Sequence, residues 1–226
     1  MSASRKNALP NKKNPRRRLS TEEREKQIVE GAVNFFSAHG LEAQMRDLAK
    51  QIGITHPLLY HYFPTKQALI ERVYEQVYLG RWKREWEQWM IEPGTSLRAR
   101  LCHFYQDYAH TVLTAEWVRI LLSSGMKDRF IPDRYLDVLQ KRIFPLIVQE
   151  TRLSLNIASR NDAAEAELEH LWGLHGGIFH IGVRVFVYGQ PFPTDLDAVI
   201  SDRVDAYLHG AKNIFKKADK HRNMAR

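Results

Sequence analysis

From residue 19 onward, apolar residues recur at helical spacing along almost the whole chain, and no segment alternates as a strand would. Ile28, Ala32, Phe35 and Phe36 stand at i, i+4, i+7 and i+8, one stripe of a first helix that Ser20 or Thr21 caps and that ends near His39 and Gly40. Glu22, Glu23 and Glu25 favour its N-terminal dipole. Leu48, Ala49 and Ile52 share a face of a short second helix over residues 45–52. Gly53 follows, where a left-handed cap wants glycine. Thr55 caps a third helix over residues 56–62, with Pro57 in its first turn. Only Leu59 and Phe63 are spaced to anchor that helix, so His56, Pro57, Leu58, Tyr60, His61 and Tyr62 are left without a core role. Two turns of helix do not persist alone in water. The third helix must be held by its neighbours and presented outward, as in a helix-turn-helix whose second helix enters the major groove.

The pattern downstream predicts a long helix over residues 66–90, with Leu69, Val73 and Val77 on one face, continuing into Trp82, Trp86 and Trp89. Thr95 or Ser96 caps the next, which carries Leu97, Leu101, Phe104, Tyr105, Tyr108 and Val112; after a break near Thr114, residues 116–124 follow. Residues 125–133 read as a loop, and residues 134–155 as a helix kinked at Pro145. Residues 163–188 carry two apolar stripes. Leu171, Leu174, Ile178, Ile181 and Val185 form one; Trp172, Gly176, Phe179, Val183 and Phe186 form the other. Two stripes exceed the need of one small core, so one of them is expected to meet another protein chain, a fit with the glycines at 173, 176, 177 and 182. A last helix spans residues 196–215, carrying Ile200, Val204, Tyr207 and Leu208.

Composition narrows the class. No window reaches 18 uncharged apolar residues, so no membrane span is expected, and the basic N-terminus lacks the apolar core of a secretory signal. Cys102 stands alone, which fits a reducing cytoplasm and a buried small hydrophobe. The net charge of +8 is concentrated at the ends: residues 1–18 hold seven Lys/Arg and no acid, and residues 212–226 hold six Lys/Arg against Asp219. Between residues 19 and 66 acids outnumber bases by six to five, so attraction to a polyanion falls to the tails. The expected division is a disordered basic tail over 1–18, a DNA-reading domain over 19–64, a helical regulatory domain over 65–218 and a basic tail over 219–226.

The order of landmarks is also that of a known family. Phe36, Gly40, Leu48-Ala49, Gly53-Ile54-Thr55, Leu59-Tyr60, Tyr62-Phe63, Lys66 and Leu69 resemble the N-terminal domain of TetR-type transcriptional regulators, over residues 24–77. Two departures stand out: Ala43-Gln44 replaces the usual Ser/Thr pair after a shorter loop, and Pro57 replaces a glycine early in the recognition helix. The resemblance implies an all-α fold, with the helix-turn-helix domain followed by a larger helical ligand-binding and dimerisation domain. It implies a homodimer on a pseudo-palindromic operator in double-stranded DNA, repression released by a small molecule, and no cofactor.

With the outward positions of the short helix, the resemblance places His56, Pro57, Leu58 and His61 at base edges and Thr55, Tyr60, Tyr62 and Lys66 at phosphates, with Arg46 at either. Tyr60 has an alternative role, packing against the first helix. The dimer interface is assigned to Leu171, Leu174, Ile178, Ile181 and Val185, with Val204 and Leu208 on the last helix. Trp82, Trp86, His103, Tyr108 and Trp117 are candidates for the wall of a pocket for a small apolar or aromatic effector; the alternative is that they fill the core.

Other chemistry is not signalled. His170, His175 and His180 recur every five residues and so rotate off a common face, and no HExxH, CxxC or paired carboxylates suggest a metal. Neither a glycine-rich phosphate loop nor a nucleophile motif appears, which argues against an enzyme. The remaining alternatives are a DNA-binding regulator, or an architectural protein, with no small-molecule effector. An outward helix face of His, Tyr and Pro rather than Lys and Arg favours sequence-specific reading over non-specific binding.

Overall fold

The computed structural model describes residues 19–127, 129–158 and 162–224; the basic stretch over 1–18 lies outside them. Every regular element among the described residues is helical, as the sequence pattern requires. The first helix, α1 (Thr21–His39), begins in a reciprocal cap. Ser20 Oγ accepts from the Glu23 amide at 3.1 Å, while the Glu23 carboxylate accepts from the Ser20 amide at 2.8 Å. Helix α2 (Met45–Gln51) buries Met45, Leu48 and Ala49, and starts at Gln44 without a side-chain cap, a consequence of the departure noted at 43–44. It approaches α1 so closely at Gly31 that an added Cβ would lie 2.2 Å from Ile52 Cγ2. Gly53, at φ 73°, makes the corner. Helix α3 (His56–Tyr62) is capped by Thr55, whose hydroxyl accepts from the Leu58 amide at 3.3 Å, and is pinned by fully buried Leu59.

The long connecting helix is not continuous. Helix α4 (Lys66–Val77) ends at Tyr78, a single 3-10 turn (Leu79–Arg81) follows, and Trp82 is extended before α5 (Glu85–Met90). Gly80 lowers helix propensity there, and tertiary contacts fix the break. Tyr78 donates its hydroxyl to the Trp117 carbonyl at 2.8 Å, and Arg81 reaches Thr114 and Glu116 at 2.8 and 2.6 Å. Those bonds turn the chain out of the α4 axis.

Helix α6 (Leu97–Val112) and α7 (Ala115–Gly125) follow, capped by Ser96 and Thr114. The region read as a loop over 125–133 is already helical from residue 130: α8 (Phe130–Val138) holds Pro132 in its first turn, where no helical donor is lost. A π turn (Leu139–Ile143) then opens the ladder just ahead of Pro145 in α9 (Phe144–Ser154), the site at which a kink is expected. Helix α10 (Glu165–Phe186) is tied to α9 by a buried ion pair, Arg152 Nη2 to Glu167 Oε2 at 2.6 Å, and the same carboxylate accepts from the Ala164 amide. Helix α11 (Leu196–Met224) continues nine residues past the expected end, across most of the segment read as a basic tail.

The layers explain both stripes of α10. Helix α10 packs against α11, α7 and α9, while α11 packs against α6. Leu171, Leu174, Ile178 and Ile181 are buried inside the chain itself, as is Val204 on α11; Val185 and Leu208 are only partly exposed. The assignment of those five buried residues to a dimer interface is therefore corrected: periodicity marks a face as buried without saying what buries it, and here it is packing within the chain. The second stripe turns toward α7 and α8.

Candidate nucleic-acid interface and internal cavity

The outer surface of the helix-turn-helix carries the residues expected there. Arg46, Thr55, Pro57, Tyr60 and His61 are exposed; His56, Leu58, Tyr62 and Lys66 are half-buried. The side chains on α3 brace one another, His56 edge-on to Tyr60 with ring centroids 4.8 Å apart and His61 edge-on to Tyr62 at 5.5 Å. Tyr60 is 40% exposed and packs on its own helix, so its hydroxyl end is free to meet a partner. Lys66 opens α4, where unpaired amides and the helix dipole favour an anion, and Thr65 caps that helix through the Ala68 amide at 3.0 Å. These groups can offer imidazole and phenol hydrogen bonds, an apolar Pro57-Leu58 edge of the kind that meets thymine methyl groups, and flanking cations.

A cavity of about 320 Å³ lies in the second domain, between α7, α8 and α10. Trp117, Leu121 and Leu122 line it from α7, Pro132, Tyr135 and Leu136 from α8, and Trp172, His175 and Phe179 from α10. Exposed Gly125 and Met126 stand at its mouth. Among the described residues, no charged side chain lines it. Of the five residues expected at a pocket, Trp117 alone is in this wall. Trp86 and Tyr108 are fully buried core: the Trp86 indole donates to Asp107 Oδ2 at 2.7 Å, and the Tyr108 hydroxyl bonds those of Tyr135 and, at 3.4 Å, His175 Nε2. His103 stacks flat on Trp89 with centroids 3.8 Å apart, and half-buried Trp82 packs on Trp86, both away from the cavity.

Sequence reasoning does not single out Tyr135, Trp172, His175 and Phe179 as pocket residues. The available signal is the second stripe of α10, in which Trp172, Gly176 and Phe179 are visible as apolar surplus. His175 invites only a metal-ligand reading from its spacing. In the structure it is 5% exposed and surrounded by the rings of Tyr105, Tyr108, Phe144 and Trp172, at 5.3 to 6.1 Å. Burial lowers its pKa to about 4, so the ring is neutral at pH 7. Burial likewise raises the phenols of Tyr108 and Tyr135.

The cavity wall is also a joint with the DNA-reading domain. Tyr78, at the end of α4, bonds the Trp117 carbonyl and packs its ring 5.4 Å from Trp117 and 5.9 Å from Tyr135. Helix α7 packs directly on α1. Groups that line the cavity thus touch the end of α4, and α7, which supplies part of the wall, packs on α1.

A helix-turn-helix domain seated on a larger all-helical domain with an internal apolar cavity defines a DNA-binding regulator. Residues 28–73 match the model of the tetR family of bacterial regulatory proteins. The chain is 24% identical over 204 residues to the HTH-type transcriptional regulator LuxR of Vibrio harveyi, covering 87% of this chain and 92% of that one. Its fold is similar to a TetR-like regulator from a Rhodococcus species, at TM-score 0.66 and 20% identity over 85% of this chain and 100% of the other. It is also similar to the regulator PfmR from Thermus thermophilus, at TM-score 0.56 and 21% identity over 80% and 97% of the two chains. Residues 28–73 thus carry a tetR-type DNA-binding domain, and the chain as a whole has the fold of TetR-like transcriptional regulators.

The buried neutral His175 makes stability pH-dependent. Its folded pKa, about 4, lies below the ordinary 6.5, so the unfolded chain binds a proton that the folded chain refuses between those values. Stability should fall as pH drops from 6.5 toward 4, by up to about 3 kcal/mol from this group. Melting temperatures across that range should show the slope, and His175→Phe should flatten it; an identical slope in the variant would remove His175 as its source.

Proposed function

We propose that the protein is a homodimeric repressor that reads a pseudo-palindromic operator and leaves it when a small apolar molecule fills the cavity between α7, α8 and α10. The observation that carries the regulatory part is the shared residue Trp117, which lines the cavity with its ring and holds Tyr78 of the DNA-domain connection with its carbonyl. An occupant that prefers a different setting of this wall would shift α4 and α1, and with them the separation of two recognition helices in a dimer. A hundredfold preference corresponds to about 2.7 kcal/mol of coupling.

At the DNA, His56, Pro57, Leu58 and His61 are proposed to meet base edges, and Thr55, Tyr60, Tyr62 and Lys66 the phosphates, with Arg46 at either. Their exposure supports this, and so does the hydroxyl of Thr55, which accepts within its cap and keeps its own proton to donate. The domain from 19 to 66 carries more acid than base, so residues 1–18 are proposed to supply much of the long-range attraction. The protein would do this work in the cytoplasm; no helix among the described residues is long and apolar enough to cross a membrane.

The dimer is proposed to form through the outward side of α10 and α11 rather than through their buried stripes. Gly173 is exposed with open space over it, and Ala206 on α11 is exposed across the same shallow groove. Small residues there would let two helix pairs approach closely.

Two experiments test these assignments. His61→Ala should relax base preference on selected operators. Lys66→Ala should instead weaken all sequences alike and lower the slope of log affinity against log salt by about 2 for a dimer, at about 0.9 per phosphate. Equal losses on every sequence for both variants would contradict the division of roles. For the dimer, Gly173→Arg should give folded monomers by light scattering and circular dichroism, with operator affinity lost. Ile178→Asp should instead unfold the domain, and an intact dimer in the Gly173 variant would place the interface elsewhere.

A further inference from the structure

Two residues of the cavity wall each carry a buried nitrogen with no hydrogen-bond partner among the described residues: Trp117 Nε1 and His175 Nδ1. Trp117 and His175 are 1% and 5% exposed. A buried polar group left unpaired is costly, and native proteins keep few of them. The indole nitrogen is a donor only.

Proton counting fixes the character of the other. The Tyr135 hydroxyl, the Tyr108 hydroxyl and His175 Nε2 form a chain of three. If Tyr135 donates to Tyr108 and Tyr108 donates to Nε2, every proton in the chain has an acceptor, and the neutral ring carries its own proton on Nδ1. In the reverse direction the Tyr135 proton has no acceptor among the described residues, and Nδ1 is an unfilled lone pair as well. The first arrangement leaves one orphan and the second leaves two, so the first holds. Among the described residues the wall then contains two unpaired N–H donors, no unpaired acceptor and no charge.

Resting on the reading of this cavity as the regulatory ligand site, we infer that its ligand is an uncharged molecule with a largely hydrocarbon body and an acceptor oxygen, of the ketone, ester or lactone kind, that takes the Trp117 and His175 N–H groups. The rings of Trp117, Tyr135, Trp172 and Phe179 enclose the body. An anion is disfavoured: among the described residues no cation lines the wall, and the buried imidazole, with its pKa near 4, does not become one at pH 7. The two nitrogens lie beneath the carbon surface of the wall, so capture of the oxygen requires the ring edges to turn toward it. Because the Trp117 carbonyl holds Tyr78, capture by its indole acts on the joint with α4.

Three probes that share a diphenyl skeleton separate the classes: benzophenone, diphenylmethane and diphenylacetate, titrated calorimetrically into the full chain. Benzophenone should bind about tenfold tighter than diphenylmethane, the equivalent of about 1.4 kcal/mol, and diphenylacetate should bind weakest. In His175→Phe or Trp117→Phe the ketone preference should shrink toward unity, with diphenylmethane affinity nearly kept. Equal affinity for ketone and hydrocarbon, or tighter binding of the carboxylate, would overturn the ligand class and leave the cavity as a site. Absence of binding by all three would overturn the class and the site together. Should a variant fail to fold, the ratio of ketone to hydrocarbon on the unaltered chain decides the matter.

Discussion

The hydrogen bond from Tyr78 to the Trp117 carbonyl, 2.8 Å long and buried, is the constraint on which the arrangement of the two domains depends. It stops α4 where a longer helix would otherwise run, turns the chain into a 3-10 step and an extended Trp82, and fixes the start of α7 against the end of α4. Ring packing multiplies the contact. Tyr74 stacks on Tyr78, Tyr78 packs on Trp117 and Tyr135, and Trp117 meets Phe179 across the cavity. Close-packed aromatic rings shift in discrete steps rather than deforming smoothly, which suits the proposed role of this wall in reporting whether the cavity is occupied.

The DNA-reading half of the molecule illustrates how much a short stretch can encode when its signals are local. Caps at Ser20 and Thr55, the left-handed corner at Gly53 and proline in the first turn of α3 each act within a few residues, and each is where the sequence places it. Leu59 of α3 and Phe63 just after it are buried in the core and Tyr62 packs against it, so the helix is held as a rigid projection with Pro57, Tyr60 and His61 exposed. The same logic makes the family legible, since its landmarks are those local signals.

What is not legible depends on non-local packing. The break after Val77 follows from bonds to residues nearly forty positions away, invisible to any helical period. The two stripes of α10 announce burial correctly, yet periodicity cannot say that Ile178 and Ile181 are buried within the chain while Trp172 and Phe179 line a cavity with residues of α7 and α8. Trp86, Tyr108 and His103 suggest a pocket in the sequence because they are aromatic and near one another along the chain. The Trp86 indole is committed to Asp107, the Tyr108 hydroxyl to Tyr135 and the His103 ring to Trp89. His175 is hidden for a related reason: a histidine on an apolar face shows its role only once the rings around it are known.

The central claim is that filling this cavity resets the DNA-reading domain, and a substitution can stand in for the unknown molecule. Gly176 lines the cavity, and a Cβ added there meets no atom within 4 Å, so Gly176→Phe would place a ring in the space without displacing a neighbour at its base. The measurement is operator affinity of that variant, on DNA fragments selected by the unaltered protein, alongside its melting temperature and oligomeric state. The account predicts a folded, thermally stable protein of unchanged oligomeric state whose operator affinity is at least about tenfold weaker, a coupling of about 1.4 kcal/mol or more. Unchanged operator affinity in a variant shown to be folded and to have its cavity filled would contradict it.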